Sequence, residues 1–261
     1  MTDHESSLQL FDGSCMLGRS AVHQPGAPVT AEGLVDALRA NDIGSALVYH
    51  ADAAEYSYQI GNDRLLKEIA DHPELQPCWV LGPYQTGELP PPDELVPRML
   101  ESGVYAALFT PGQHRYRFRV WNLEPLLSHL AAHRIPVWVD FGLVGWSNEV
   151  IDWDGVHEVC TAFPDLPVVL VRANIGSNRR LFPLMERCPN LRFDTSYYTV
   201  HRGIELATRL FGAERLIFGT GFPMRPPGPA ITGLAYSLIS DDERALIGGG
   251  NLRALLARVT A

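Results

Sequence analysis

Short runs of Val, Ile and Leu alternate along this chain with stretches whose apolar residues recur every three or four positions. The runs are Leu8–Asp12, Ser45–His50, Gln76–Leu81, Val104–Phe109, Pro136–Phe141, Pro167–Arg172, Leu191–Thr195 and Arg215–Gly219. They are mostly continuous rather than alternating, which is how parallel strands buried on both faces read. Between them the helical period predicts helices over Ala31–Ala40, Asp63–Asp71, Asp93–Glu101, Trp121–His133, Asp154–Phe163, Ser177–Arg187 and His201–Phe211. A last helix is expected over Asp241–Arg258, closing the bottom of the fold. Strands regularly followed by helices predict an α/β fold of the (β/α)8 TIM-barrel kind. No G-x-G-x-x-G follows the first strand, which counts against a dinucleotide-binding sheet.

Punctuation agrees with this order. Leu123-Glu124-Pro125 and Cys188-Pro189-Asn190 mark helix ends, and Gly87 to Pro92 makes an excursion stiffened by three consecutive prolines. No repeat, low-complexity segment or linker interrupts the pattern, so residues 1–261 are expected to form a single domain.

Composition narrows the function classes. Apolar residues make up 46%, enough for a large core, yet no apolar run approaches the roughly 18 residues that span a membrane. The first seven residues carry acidic groups and no apolar h-region, so a cytoplasmic location is expected. Cys15, Cys78, Cys160 and Cys188 are dispersed without a C-x-x-C pair, which argues against a zinc ribbon or a disulfide scaffold. A net charge of −9 disfavours nucleic acid and anionic membranes as partners. A small-molecule substrate is the expected partner, with a homo-oligomer left open.

Phe11-Asp12-Gly13-Ser14-Cys15-Met16-Leu17-Gly18-Arg19, Ile135 to Asp140, Phe163 to Arg172, Asn190 to Ser196, and Glu214 to Pro223, in this order and spacing, resemble the amidohydrolase-related (amidohydrolase family 2) barrels. The ending Ile247-Gly248-Gly249-Gly250-Asn251-Leu252 is similar to that family's closing helix. The resemblance implies a metal-dependent-hydrolase-like barrel, yet its metal set does not carry over. Where the family has His-x-His on the first strand, this chain has Ser14 and Met16. The histidines of the fifth and sixth strands become Asp140 and Arg172, and the Asp of the eighth becomes Gly221. A catalytic metal takes about three ligands from His, Asp, Glu or Cys, so the expectation is no metal and no cofactor.

In a TIM barrel the active site lies at the C-terminal ends of the strands. The candidate catalytic residues there are His50, Asp140 and Asp194. His50 is suited to proton transfer near neutral pH, so His50→Ala is expected to lower turnover about a hundredfold; a hydrogen-bonded core histidine is the alternative. Asp194 either joins Asp140 as a carboxylate pair or simply caps the following helix or pairs with Arg202. Candidate substrate-binding residues are Arg172, Asn174, Arg19, Arg115 and Thr220. Arg172 either clamps an anion or fills the lost metal's place as an ion pair with Asp140. Arg115 belongs to the basic-aromatic segment His114 to Trp121, which alternatively packs its aromatics on the barrel and solvates its arginines. Cys15 is an alternative nucleophile beside His50, though a buried thiol reads more simply. The function expected is a metal-independent hydrolase or lyase on a small anionic organic substrate. The alternatives are an inactive barrel that binds a metabolite or partner, and a hydrolase with a non-standard metal site built on Cys15, His50, Asp140 and Asp194.

Overall fold

The computed structural model describes residues 9–22, 24–142 and 151–260; Leu8 and the seven residues before it lie outside the described residues. The parallel strands are β1 (Leu10–Leu17), β2 (Ile43–His50), β3 (Leu75–Pro77), β4 (Trp79–Leu81), β5 (Ala107–Phe109), β6 (Val137–Val139), β7 (Val168–Leu170), β8 (Leu191–Asp194) and β9 (Leu216–Ile217). Hydrogen bonding runs β1-β2-β3 and then β4 through β9 in chain order. The expected third strand is therefore broken in two. Pro77 has no N–H to give, and at Cys78 the chain changes partners: Cys78 N donates to Val48 O at 2.8 Å, and Trp79 N to Ala106 O at 3.2 Å. Together β3 and β4 make one stave of the (β/α)8 barrel.

Helices α1 (Ala31–Arg39), α2 (Ala51–Glu55), α3 (Tyr58–Glu68), α4 (Pro92–Glu101), α5 (Val120–Ala132), α6 (Trp153–Ala162), α7 (Asn178–Arg187) and α8 (Gly203–Phe211) follow the strands. Their starts are written locally. Thr30 Oγ1 accepts from Gly33 N at 3.2 Å and Asp152 Oδ1 from Gly155 N at 3.0 Å, each satisfying a first-turn donor. Leu34, Val35 and Leu38 of α1, and Leu123, Leu126, Leu127 and Leu130 of α5, form the buried stripes that hold these helices on the sheet. Pro125 falls inside α5 instead of at its start, and removes the donor that Trp121 O would otherwise receive. The eight-residue helix α9 (Gly228–Ala235) follows the proline-rich segment after β9, where the sequence suggested only an extended wall.

The closing helix is α10 (Asp241–Ala245), a π turn over Leu246–Gly250 and α11 (Asn251–Leu256). Ser240 and Glu243 form a capping box at its start. The π turn seats Ile247 O where it accepts from Phe218 N at 3.0 Å. Gly249 lies so near the first strand that a β-carbon there would stand 2.7 Å from Gln9 O. Asn251 Nδ2 then ties the helix to Ala213 O and Leu216 O, both at 2.8 Å. Among the described residues no helix is long and apolar enough to cross a membrane.

The ring closes between its first and last strands. Gly13 N donates to Phe218 O at 2.8 Å and Met16 N to Phe222 O at 2.9 Å. Asp12, fully buried, is the clamp: Ser14 N and Thr220 N reach its Oδ1 at 3.0 Å, while Cys15 Sγ and Thr220 Oγ1 reach Oδ2. Burial raises its pKa, against the pull of these four donors. Asp12→Ala is expected to cost about 1–3 kcal/mol of stability, because the Thr220 donors stay buried with no acceptor. Denaturant titration measures this, and an unchanged midpoint would remove the clamp from the account.

Candidate functional site

Strand phase decides which side chains enter the barrel. In β2, Leu47 and Tyr49 face inward while Val48 and His50 face the helices. A cleft of about 280 Å3 at the C-terminal ends of the strands is lined by Ser14, Tyr49, Trp138, Asp140 and Val171, among others. Its enclosed part is about 20 Å3, room for about one water molecule. Trp138 Nε1 is buried with no hydrogen-bond partner among the described residues, so a donor beside this cleft is unspent.

Asp140 and Arg172 meet here. Arg172 Nε donates to Asp140 Oδ1 at 2.5 Å, and Gly142 N reaches the same oxygen at 2.8 Å. Arg172 Nη1 donates to Tyr197 Oη at 2.6 Å. Among the described residues, Arg172 Nη2 and Asp140 Oδ2 take no hydrogen bond. Burial works against the guanidinium's charge, but Asp140 and Tyr197 outweigh it and hold its pKa above the ordinary value. Arg172 adopts a left-handed backbone, φ 63°, which a branched or bulky chain resists.

Tyr197 is the residue that fills the space the resemblance assigns to a carboxylate. A β-carbon on Gly221, φ 72°, would stand 3.2 Å from its ring. Arg172 and Arg225 place their guanidinium carbons 4.8 and 4.6 Å from that ring's centroid, a cation–π arrangement on one aromatic. Arg225 Nη1 also donates to Ser196 O at 2.9 Å. Tyr49 has its pKa raised by burial first and then by Asp140.

Asp194 ends β8 with no exposed surface. Its Oδ1 accepts from Ser196 N at 2.9 Å and from Ser196 Oγ, so it neither caps α8 nor pairs with Arg202. Its Oδ2 is buried without a partner among the described residues. A β-carbon on Gly219 would stand 1.7 Å from that oxygen and 3.1 Å from Ser14 Cβ. Only glycine leaves room for the carboxyl there, beside the cleft-lining Ser14. Burial, with smaller contributions from Asp12 and Asp140, pushes the Asp194 pKa up to about 7, against the lowering effect of Ser196.

The other candidates lie elsewhere. His50 is turned to the helix layer: Nδ1 accepts from Asp52 N at 3.1 Å and Nε2 lies 3.5 Å from Glu68 Oε2. A β-carbon on Gly18 would press on its ring at 2.7 Å. The strand-end position was legible, but the strand phase assigns the cleft to Tyr49 instead. His50→Ala is therefore expected to leave turnover within a few-fold, measured by steady-state kinetics; a hundredfold loss would return it to the site. Thr220 belongs to the Asp12 clamp. Asn174 spends Oδ1 on Gly176 N in a local turn at 2.9 Å. Arg19 and Arg115 are exposed and outside the cleft. In the His114 to Trp121 segment Phe118 is fully buried and Arg115 and Arg117 are exposed, as in the alternative the sequence left open, whereas Arg119 pairs with Asp152 and Glu158. Cys15 is buried against Asp12, and burial followed by that carboxyl raises its pKa well above the ordinary thiol value. That leaves it a poor nucleophile.

The site residues do not suit a metal ion. Ser14, Met16 and Gly221 supply no imidazole or carboxylate, Asp140 is engaged by a guanidinium, and Tyr197 occupies the space beside Gly221. Among the described residues no three His, Cys, Asp or Glu side chains gather in a way that would hold one.

Solved structures share this architecture. An uncharacterised TIM-barrel protein from Bordetella bronchiseptica superposes with a TM-score of 0.73 at 20% identity, over 95% of this chain and 99% of its own. 5-Carboxyvanillate decarboxylase from Sphingomonas paucimobilis does so with a TM-score of 0.73 at 14% identity, over 97% and 100%. A probable 2-pyrone-4,6-dicarboxylic acid hydrolase from Acinetobacter baumannii, with citric acid bound, gives 0.68 at 12%, over 95% and 99%. At these identities the likeness is one of fold. No curated protein matches the chain. The amidohydrolase family model matches residues 21–258, and with that match spanning nearly the whole barrel, the chain belongs to the amidohydrolase family.

Proposed function

We propose that the protein is a metal-independent hydrolase or lyase acting on a small anionic organic molecule. The observation that carries this reading is the pairing of cleft-lining Asp140 with Arg172, each with an atom that makes no hydrogen bond among the described residues: Oδ2 on the carboxyl and Nη2 on the guanidinium. A substrate carboxylate would take Nη2 as a charge-assisted hydrogen bond. Trp138 Nε1 offers a neutral donor beside it. Asp194 holds a proton near neutral pH behind Ser14, and Asp140 can accept one. The names of two structural neighbours, 5-carboxyvanillate decarboxylase and a probable 2-pyrone-4,6-dicarboxylic acid hydrolase, support a carboxylated substrate.

Of the two reaction classes, the lyase asks least of these residues. The bond from carbon to a carboxylate breaks, carbon dioxide leaves, and the electron pair left on carbon takes the proton of Asp194. Hydrolysis would instead need Asp140 to withdraw a proton from an attacking water. The test is turnover of a panel of aromatic and heterocyclic carboxylates in the presence of EDTA, alongside elemental analysis of the purified chain. Expected are a rate indifferent to EDTA and metal well below one per chain. Activity that appears only on adding a divalent cation would overturn metal independence. Saturable binding of panel members in calorimetry with no turnover would favour the inactive barrel.

A further inference from the structure

At the opposite end of the barrel, where β6, β7 and β8 begin, a second cleft of about 410 Å3 opens between the strand starts and α11. Arg192, from within β8, lies in it half-buried, and Arg134 and Arg258 stand on its rim. This end of a TIM barrel ordinarily serves stability, so a cleft lined by cations there calls for a reason.

None of the three arginines has a carboxylate within ion-pair distance among the described residues. Among the described residues the Arg192 side chain makes one hydrogen bond, Nη1 to Asn190 O at a long 3.3 Å. Asn190 is held in place by its Nδ2, which donates to Cys160 O, Phe163 O and Leu166 O. Arg215 adds a fourth cation from behind, its Nε donating to Leu191 O and its Nη2 to Met185 O and Cys188 O. Asp165 on the wall and Glu214 nearby are the acidic groups that answer them. Burial, then Arg215 and Arg258, depress the Arg192 pKa to about 10 despite Glu214. A half-buried cation crowded by like charges is a costly arrangement, and it occurs here in a chain of net charge −9.

We propose that this cleft is an anion-binding site, taking a phosphate-type dianion through Arg192 in the cleft and Arg134 and Arg258 at its rim. Guanidinium forks match tetrahedral oxyanions bidentately, and three of them balance a dianion with charge to spare for Asp165. The site is separated from the Asp140–Arg172 pair by the barrel itself. It stands independently of the reaction proposed above.

Calorimetry with inorganic phosphate on the full chain tests this, with sodium chloride at matched ionic strength as the control. Saturable binding at one site is expected, and an accompanying rise in melting temperature. Arg134→Gln and Arg258→Gln, both at exposed positions where folding is not at stake, should each weaken phosphate by roughly ten- to a hundredfold, as loss of a hydrogen bond to a charged group does. Arg192→Met should abolish binding. Arg172→Met should leave it unchanged, which separates this cleft from the other end of the barrel. No saturable binding, or binding lost in Arg172→Met but kept in Arg134→Gln and Arg258→Gln, would overturn the proposal. A free phosphate ion and a phosphorylated metabolite are told apart by repeating the titration with a sugar phosphate. Tighter binding of the ester points to the metabolite, and equal binding to the ion alone; both keep the site.

Discussion

Asp194→Asn should lower turnover by about a hundred- to ten-thousandfold, the range lost with a general acid, while leaving the barrel folded. The amide keeps the acceptor for Ser196 and fits the space Gly219 leaves, but it has no proton to give. The pH dependence supplies a second readout. The folded pKa, about 7, lies above the ordinary carboxyl value. The protonated form is therefore the one the fold favours, and its stabilising contribution is complete below about pH 4 and is lost as pH rises through 7. Wild-type stability should fall across that window and Asp194→Asn should not follow it. The wild-type rate should likewise fall above pH 7, as the acid ionises. Equal rates for the two proteins, or parallel melting curves from pH 4 to 8, would take the proton-donor role away from Asp194.

Arg172→Met should weaken an anionic substrate by about 1.5–3 kcal/mol, roughly ten- to a hundredfold. The same change strips Asp140 of its partner, and breaking a buried pair from one side is destabilising. The two effects separate in the double variant Asp140→Asn/Arg172→Met, which restores stability because no charge is left unpaired, yet should bind no better than the single. If Arg172 serves structure alone, calorimetry on both variants will find wild-type affinity. Arg172→Lys is the companion control: it retains the charge but cannot reach Asp140 and Tyr197 together with one planar fork.

Hydrophobic period carried most of the fold, since strands buried on both faces advertise themselves in any sequence. It failed where side-chain chemistry overrides period. Pro77 splits a run that reads as one strand, and α9 begins within a proline-rich stretch that reads as extended. The site was legible only in part, for a different reason. Asp140, Arg172 and Asp194 sit at strand ends, where their chemistry stands out against apolar neighbours. His50 sits at a strand end too, and position alone says nothing of which face it takes; counting from the inward Leu47 would have chosen Tyr49. Tyr197 and Arg225 had no signal at all. They come from loops after different strands, and the Tyr197 ring meets Arg172 and Arg225 only once the barrel is formed.

The clamp between Asp12 and Thr220 joins residues 208 positions apart. During vectorial synthesis the Asp12 end of the chain leaves the ribosome long before its acceptors' partners exist. Until Thr220 follows, β1 is an open strand edge and Asp12, with only its neighbours Ser14 and Cys15 to donate to it, is a carboxylate that keeps that edge wet. A charge at such an edge discourages pairing with neighbouring nascent chains. The same side chain that locks the finished ring thus guards the unfinished one, and a variant lacking it should lose more yield on expression than its equilibrium stability accounts for.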